Sequence, residues 1–358
     1  MANFTGTLNS NDIFAAIYNM IISQEVFSDN IKGTKSTLVD MARVDGSLYG
    51  DTKLYYATDA LKSSAWGNDA EAAKLLTLYR PSAPKCQAIT LDVFRQICLT
   101  VDNYLSKQAW GTEGAFSQFN SVMLGWIRDT KRIYDSTTYN AYIGTASSTI
   151  GKQTIEVDVS TAVEGLTGEE KARVEAGVIG EEIAKLLTEL EDVSRDYNDY
   201  GYLRSYTGDE LVFVWHSDAM AKLEKRDLPT IFHKEIIDKF GQYVLPARYF
   251  GNVNASQTAG NANGTIRSLV EQDIGSNHYF PGDVIGASVT APAGTSYTVD
   301  SKILFKVMHK RSVPYMSAFE VGTSFFNPKA LTETNYLTFG HNTLEYLKNY
   351  PMITVKQK

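Results

Sequence analysis

Residues 301–355 read SKILFKVMHKRSVPYMSAFEVGTSFFNPKALTETNYLTFGHNTLEYLKNYPMITV. Apolar, strand-like runs lead to a break at Phe325-Phe326-Asn327-Pro328, where the proline removes a ladder donor. An aromatic-rich polar stretch then continues to the C-terminus. No catalytic spacing occurs in this segment. Upstream, LVFVWHS at 211–217 has the composition of a buried strand. Between the two lie VLPARYFG at 244–251, read as a strand, and the small, polar NVNASQTAGNANG at 252–264, read as a mobile loop. A meander of short strands and Gly/Pro turns continues to about residue 300.

The best helix covers residues 167–200. Val174, Val178, Ile179, Ile183, Leu186, Leu187, Leu190 and Val193 form an apolar stripe. Thr167 and Glu170 fit a capping box, and Gly201 is the expected C-terminal cap. A longer helix is expected within 109–144, where Phe116, Phe119, Met123, Trp126, Ile127, Ile133 and Tyr134 share a face over about seven turns. TIEVDV at 154–159 reads as a strand. Shorter helices are expected at 11–27, in AMAKLEKRDL (219–228) and in IFHKEIIDKF (231–240).

Residues 30–52 read as extended or looped. KLYYATD (53–59) and LLTLYR (75–80) read as the strands of a long hairpin whose polar tip runs from Leu61 to Lys74. Such a hairpin is marginal alone in water and needs another surface. Two further strand-like runs centre on Leu91 and Leu99.

The chain has 358 residues, 43% hydrophobic and 21% charged, enough for a sizeable ordered core. A net charge of −7 argues against a nucleic-acid groove. Two cysteines, Cys86 and Cys98, make neither a disulfide framework nor a metal site, and both read as reduced and packed. The N-terminal residues lack signal-peptide regions, and no run reaches transmembrane length, so synthesis in a cytoplasm is expected and no membrane partner. P-loop, GxGxxG, HExxH and GxSxG patterns are absent. The five histidines are dispersed. Asp192, Asp196 and Asp199 flank Arg195, and an acidic helix end bridged by that arginine is preferred to a cation site. Lys131-Arg132 reads as a solvated basic pair. No cofactor, metal or catalytic residue is assigned.

The passage SRDYNDYGYLRSYTGDELVFVWHSDAMAKLEKRDLPTIFHKE, at 194–235, resembles the helix–strand–helix passage through the axial domain of tailed-bacteriophage major capsid proteins. AWGTEGAF at 109–116 resembles the start of that family's spine helix, and FFNPKALTETNYLTFGHNTLEYLKNYPMITV resembles its closing part. The order of elements carries the likeness: arm, long hairpin, spine helix, peripheral strands, second helix, axial meander, return strands. It implies an α+β, Hong Kong 97-like capsid fold. Residues 1–42 would be the N-terminal arm and 43–84 the extended loop. The peripheral domain would be 85–205 with 316–358, and the axial domain 206–315.

By the same resemblance, Tyr55, Tyr56, Trp66, Leu76 and Tyr79 would be assembly contacts of the extended loop. Phe116, Phe119, Met123 and Trp126 would form the core of the spine helix. Asn254, Gly260 and Asn263 would lie in an axial loop near a capsomer axis. The implied function is self-assembly of hexamers and pentamers into an icosahedral head that encloses double-stranded DNA without reading its sequence. The implied partners are a separate scaffolding protein, a portal and a decoration protein. The N-terminal stretch is shorter than a fused scaffolding segment, and no added immunoglobulin-like domain is expected after Val355. Crosslinking through Lys62 or Lys74 is not carried over, since no acceptor can be matched. An encapsulin-like compartment shell with enzyme cargo is the alternative, and a cytosolic enzyme the more distant one.

Overall fold

A computed structural model describes residues 37–46, 50–63, 78, 80–102, 113–224, 241–253, 257–258, 270–274, 276–281, 283, 290–291, 297–300, 302–318 and 320–358. In chain order the elements begin with α1 (Thr37–Ala42), β1 (Arg43–Asp45), β2 (Thr52–Ala57), β3 (Lys85–Asp102) and α2 (Glu113–Thr145). Then come β4 (Thr154–Val157), α3 (Gly168–Glu191), β5 (Leu211–His216), α4 (Ser217–Glu224) and β6 (Gly241–Leu245). Six short strands follow: β7 (Gly251–Val253), β8 (Gln257–Thr258), β9 (Gln272–Ile274), β10 (Asn277–Tyr279), β11 (Thr290–Ala291) and β12 (Tyr297–Val299). The chain closes with β13 (Ile303–His309), β14 (Tyr315–Ser317), β15 (Val321–Asn327), β16 (Thr332–Asn342) and β17 (Met352–Gln357).

Two sheets organise the molecule. The first has the order β4-β17-β13-β5-β6. Every residue of β5 and β13 is buried, because both faces of this sheet are covered. Phe213, Trp215, Phe305, Val307, Ile353 and Val355 face one core with Ile179, Leu186, Leu187 and Leu190 of α3. Val212, Val214, Met308 and Met352 face a second core with Tyr139 and Ile143 of α2 and Leu38 and Val39 of α1. The alternation along LVFVWH therefore divides one strand between two apolar layers. α2 approaches so closely at Gly144 that a Cβ there would meet the Tyr249 carbonyl oxygen at 1.9 Å, so no larger residue fits.

The second sheet has the order β1-β14-β16-β3-β2, with β15 added on β16. β3 is one 18-residue strand rather than two runs. Its first residues pair with β2, from Thr52 opposite Thr90 to Ala57 opposite Lys85. Its remainder pairs with β16, from Leu91 opposite Asn342 to Asp102 opposite Thr332.

Several expectations are corrected. The strand that pairs with β2 starts at Lys85, just after Pro84; of the run at 75–80 only Leu78 and Arg80 are described, and neither is in a strand. Within 30–52 a short helix and a strand form. α2 has 33 residues, about nine turns. α3 ends at Glu191 and not at 200, and the Thr167 side chain makes no cap bond. The chain leaves the helix because Ser194 and Arg204 exchange backbone hydrogen bonds of 2.9 Å. β6 ends at Leu245, before Pro246 and a turn of 3₁₀ helix at Ala247–Tyr249. The loop at 252–264 contributes part of β7 and all of β8, paired with β12 and β11. α4 begins at Ser217. The helices expected at 11–27 and 231–240 lie outside the described residues. The first sheet also draws strands from both sides of the boundaries at 205/206 and 315/316.

Leu186 is buried in the α3 core. Leu186→Ala should destabilise the subunit by about 2–5 kcal/mol through the cavity it leaves. An unshifted urea midpoint would contradict the packing of α3 on this sheet.

Candidate assembly surfaces and the joint that supports them

α2 is joined to the second sheet by polar groups rather than by apolar packing alone. Asp135, 1% exposed, accepts from the Tyr315 hydroxyl at 2.6 Å and from Arg43 Nη2 at 3.2 Å. Lys131 Nζ stands 3.4 Å from the same carboxylate, one helical turn away, and also pairs with Glu320. Lys131 is buried, so the pair Lys131-Arg132 is not a uniformly solvated face. Tyr134 contacts His341 Nε2 at 2.9 Å, and His341 Nδ1 contacts the Asn342 carbonyl at 2.8 Å. The carbonyl requires the proton on Nδ1, so Nε2 accepts from Tyr134. Asn342 accepts from Met316 N at 2.7 Å, fixing β14 against β16. Burial lowers the pKa of His341, with the Asn342 carbonyl opposing.

At the C-terminus of α2 the buried Lys306 of β13 donates to the carbonyls of Ile143 (3.0 Å) and Ala146 (2.5 Å). It thus caps orphan carbonyls at the negative end of the helix. Burial pulls its pKa down to about 7.

His309 lies stacked on Tyr350 at 4.2 Å, and its Nδ1 accepts from Arg311 N at 2.9 Å. Burial pushes its pKa from 6.5 down to about 4. The neutral ring thus adds stability that is complete above pH 6.5. That contribution is lost as pH falls toward about 4, because the unfolded chain binds protons that the folded subunit excludes. The loss should be on the order of 2–3 kcal/mol. Urea midpoints measured from pH 7 to pH 4 should fall, and His309→Gln should flatten that fall. Parallel profiles for the two proteins would contradict this role.

Beyond the joint, two surfaces project. The first is the β2–β3 hairpin. Tyr56 is 67% exposed and Leu54 also points out, whereas Tyr55 is half-buried, with its hydroxyl pKa raised by burial. Past the paired strands, Leu61 and Leu78 are 79% and 78% exposed. Trp66, Leu76 and Tyr79 lie outside the described residues. The second surface is the wing formed by β3, β16 and β15. Gln96 and Thr100 reach Thr338 and Thr334 across one face, both at 3.1 Å. β15 is its outer strand, with all seven residues exposed, Phe325 at 65%. Among the described residues it pairs only with β16.

The other site expectations divide as follows. Trp126 is 42% exposed, so it is not in the helix core; Ile127, Lys131, Tyr134 and Asp135 occupy the inward face instead. The side chains of Phe116, Phe119 and Met123, and all of Asn254, Gly260 and Asn263, lie outside the described residues. Cys86 and Cys98 are free and exposed on β3, not packed. Arg195 does not bridge its acidic neighbours but reaches Asp59. Asp199 instead accepts from Ser148 and Gln153, each at 2.7 Å. Among the described residues no cluster of His, Cys, Asp or Glu could hold a metal, and no helix is long and apolar enough to cross a membrane. Sequence reading missed Asp135 and Lys306, and it read the Phe325-Phe326 strand only as the end of a run. An uncharged apolar strand just before Asn-Pro was the available signal for an edge.

A search of curated proteins finds no match to the chain. Among solved structures, the chain aligns with the capsid structure of Staphylococcus phage Andhra at a TM-score of 0.59 and 10% identity, over 89% of this chain and 83% of that one. It aligns equally with a structure of the head fiber and inner core protein gp22 of native bacteriophage P68, at 0.59 and 11% identity, over 88% of this chain and 83% of that one. At such identities the likeness is one of fold, a mixed α+β fold of the Hong Kong 97-like kind. A family model of Phi29-like phage major capsid proteins matches residues 3–355. With nearly the whole sequence matched, the chain belongs to the family of Phi29-like phage major capsid proteins.

Proposed function

We propose that this major capsid protein self-associates as hexamers and pentamers that close into the icosahedral head around the double-stranded DNA of its phage. The observation that carries this reading is the exposed outer strand β15, with Val321, Phe325 and Phe326 open to water and no charged residue in it. An uncharged, apolar edge is a hazard for a free monomer, and natural proteins blunt or cover such edges. In a shell, neighbouring subunits cover it. The exposed Leu54, Tyr56, Leu61 and Leu78 add a second apolar surface on the hairpin.

In this reading residues 1–42 form the arm and 43–84 the extended loop. The peripheral domain is built on α2 and the wing. The composition of the first sheet supports extending the axial domain beyond 206–315 to include β4, α3 and β17. The subunit works with a separate scaffolding protein, a portal and a decoration protein. It is made in the host cytoplasm and ends in the virion. A net charge of −7 suits a wall that encloses DNA without adhering to it. No step of this function requires catalysis.

Phe325→Lys tests the reading. The side chain is mostly exposed, so stability should stay within about 0.5 kcal/mol of wild type. Sedimentation velocity should show the wild type, with its scaffold, in large closed particles and the variant mainly in unassembled subunits. Equal assembly of both proteins would contradict the role of this edge, and a wild type that remains a monomer would contradict the reading itself.

A further inference from the structure

We propose that Asp59, Arg195 and Arg204 are positioning residues: they clamp the end of the β2–β3 hairpin and set the direction in which it presents the exposed Leu61 and Leu78. The inference rests on the assembly reading above.

The clamp lies where the paired strands end. Asp59 Oδ1 accepts from Leu203 N at 3.0 Å and from Ala60 N at 2.9 Å, and its Oδ2 accepts from Arg195 Nη1 at 2.8 Å. The Leu203 amide and the arginine together hold the Asp59 carboxyl down at about 2, so it stays charged at any working pH. Arg204 Nη2 donates to the Thr58 carbonyl at 2.6 Å, while its Nε donates to Asn349 Oδ1 at 3.1 Å. The opposite strand is gripped by the same region. Lys85 Nζ donates to the Tyr200 carbonyl at 3.3 Å and stands 5.0 Å over the Tyr200 ring. Gln87 donates to the Tyr346 carbonyl and accepts from Lys348 N, both at 3.0 Å.

The receiving loop is itself rigid. The buried Asn198 side chain donates to the Tyr202 carbonyl at 2.7 Å and accepts from Tyr202 N at 2.9 Å. Gly201 takes a φ of +64°, and its carbonyl accepts from Arg195 at 2.7 Å. Both strands of the neck are thus tied by directional, mostly charge-assisted bonds to two neighbouring segments of the adjoining core, 195–204 and 346–349. Exposed ion pairs add little to stability. Charge-assisted bonds of defined geometry do fix direction. A change of angle at the neck moves the exposed Leu61 and Leu78 with it, so the clamp decides where they would meet a neighbouring subunit.

The test uses the full-length chain produced with its scaffold. Arg195→Gln removes the ion pair and Arg195→Lys keeps the charge; Asp59→Ala removes the acceptor. Arg195→Gln and Asp59→Ala should keep thermal midpoints within about 2 °C of wild type. Amides of 53–57 and 85–90 in the unassembled subunit should exchange about tenfold faster. Electron microscopy should show mixed diameters and open sheets in place of uniform closed shells, with Arg195→Lys restoring most of the closed form. Uniform shells at wild-type yield from Arg195→Gln and Asp59→Ala would overturn the clamp while leaving the assembly reading intact. Wild type that closes no shells would overturn that reading, and the clamp's role with it. A variant that loses its fold would also overturn the proposal, since the clamp would then be structural.

Discussion

Asp135→Ala should be the most destabilising single substitution among those considered, by about 3–5 kcal/mol. The carboxylate is buried and takes a hydrogen bond from Tyr315 and ion-pair contacts from Arg43 and Lys131. Removing it leaves the buried Lys131 ammonium with Glu320 as its remaining ion-pair partner among the described residues, and the Tyr315 hydroxyl without its acceptor. Unpaired buried donors and charges carry their full desolvation cost. The same change removes the buried polar tie between α2 and β14, leaving the Tyr134–His341 contact and the apolar packing of Tyr139 to hold the joint. Chemical unfolding should show a large drop in midpoint, with Asp135→Asn intermediate because the amide oxygen can still accept from Tyr315. A midpoint shift below about 1 kcal/mol would mean that apolar packing alone holds the joint.

Replacing residues 62–80 with a short Gly/Ser turn should abolish closed shells while leaving a folded, soluble subunit. Ala57 and Lys85 are direct neighbours across the hairpin, so a short turn can rejoin the strands without disturbing β2 or β3. The replaced segment adjoins Leu61 and includes Leu78, both mostly exposed, so neither belongs to the subunit's own core. Cross-strand pairs contribute only about 0.2–1 kcal/mol each, which gives a projection little hold of its own against chain entropy. In the proposed shell, contact with a neighbouring subunit would supply what is missing. Circular dichroism and particle yield, compared between the two proteins, decide the matter. Normal shells from the shortened chain, or its outright unfolding, would each contradict an assembly role for this segment.

The parts of the fold that were legible in the sequence are those whose burial is continuous. LVFVWH and ILFKVMH became β5 and β13 because a strand covered on both faces is apolar throughout. The stripe of α3 was readable because one face meets one sheet, although Val193 lies past the helix end and is exposed. Failures arose where tertiary contacts override local pattern. LLTLYR has the composition of a strand, yet the pairing partner of β2 starts after Pro84. Trp126 fits the apolar period beside Ile127, but the inward face of α2 turns toward Lys131 and Asp135, whose burial depends on partners far away in sequence. Lys306 within an apolar strand gave no hint of its role, since the carbonyls it caps are over 150 residues distant. β15 reads like core because composition alone does not separate an uncharged exposed edge strand from a buried one.

Electron cryomicroscopy of particles formed by the full-length protein with the neighbouring head gene products tests the central claim most directly. The account predicts closed icosahedral shells with fivefold and sixfold capsomers, in which density from an adjacent subunit covers β15 and the exposed Leu61 and Leu78. Particles without that symmetry, or shells in which both surfaces remain open to solvent, would contradict it.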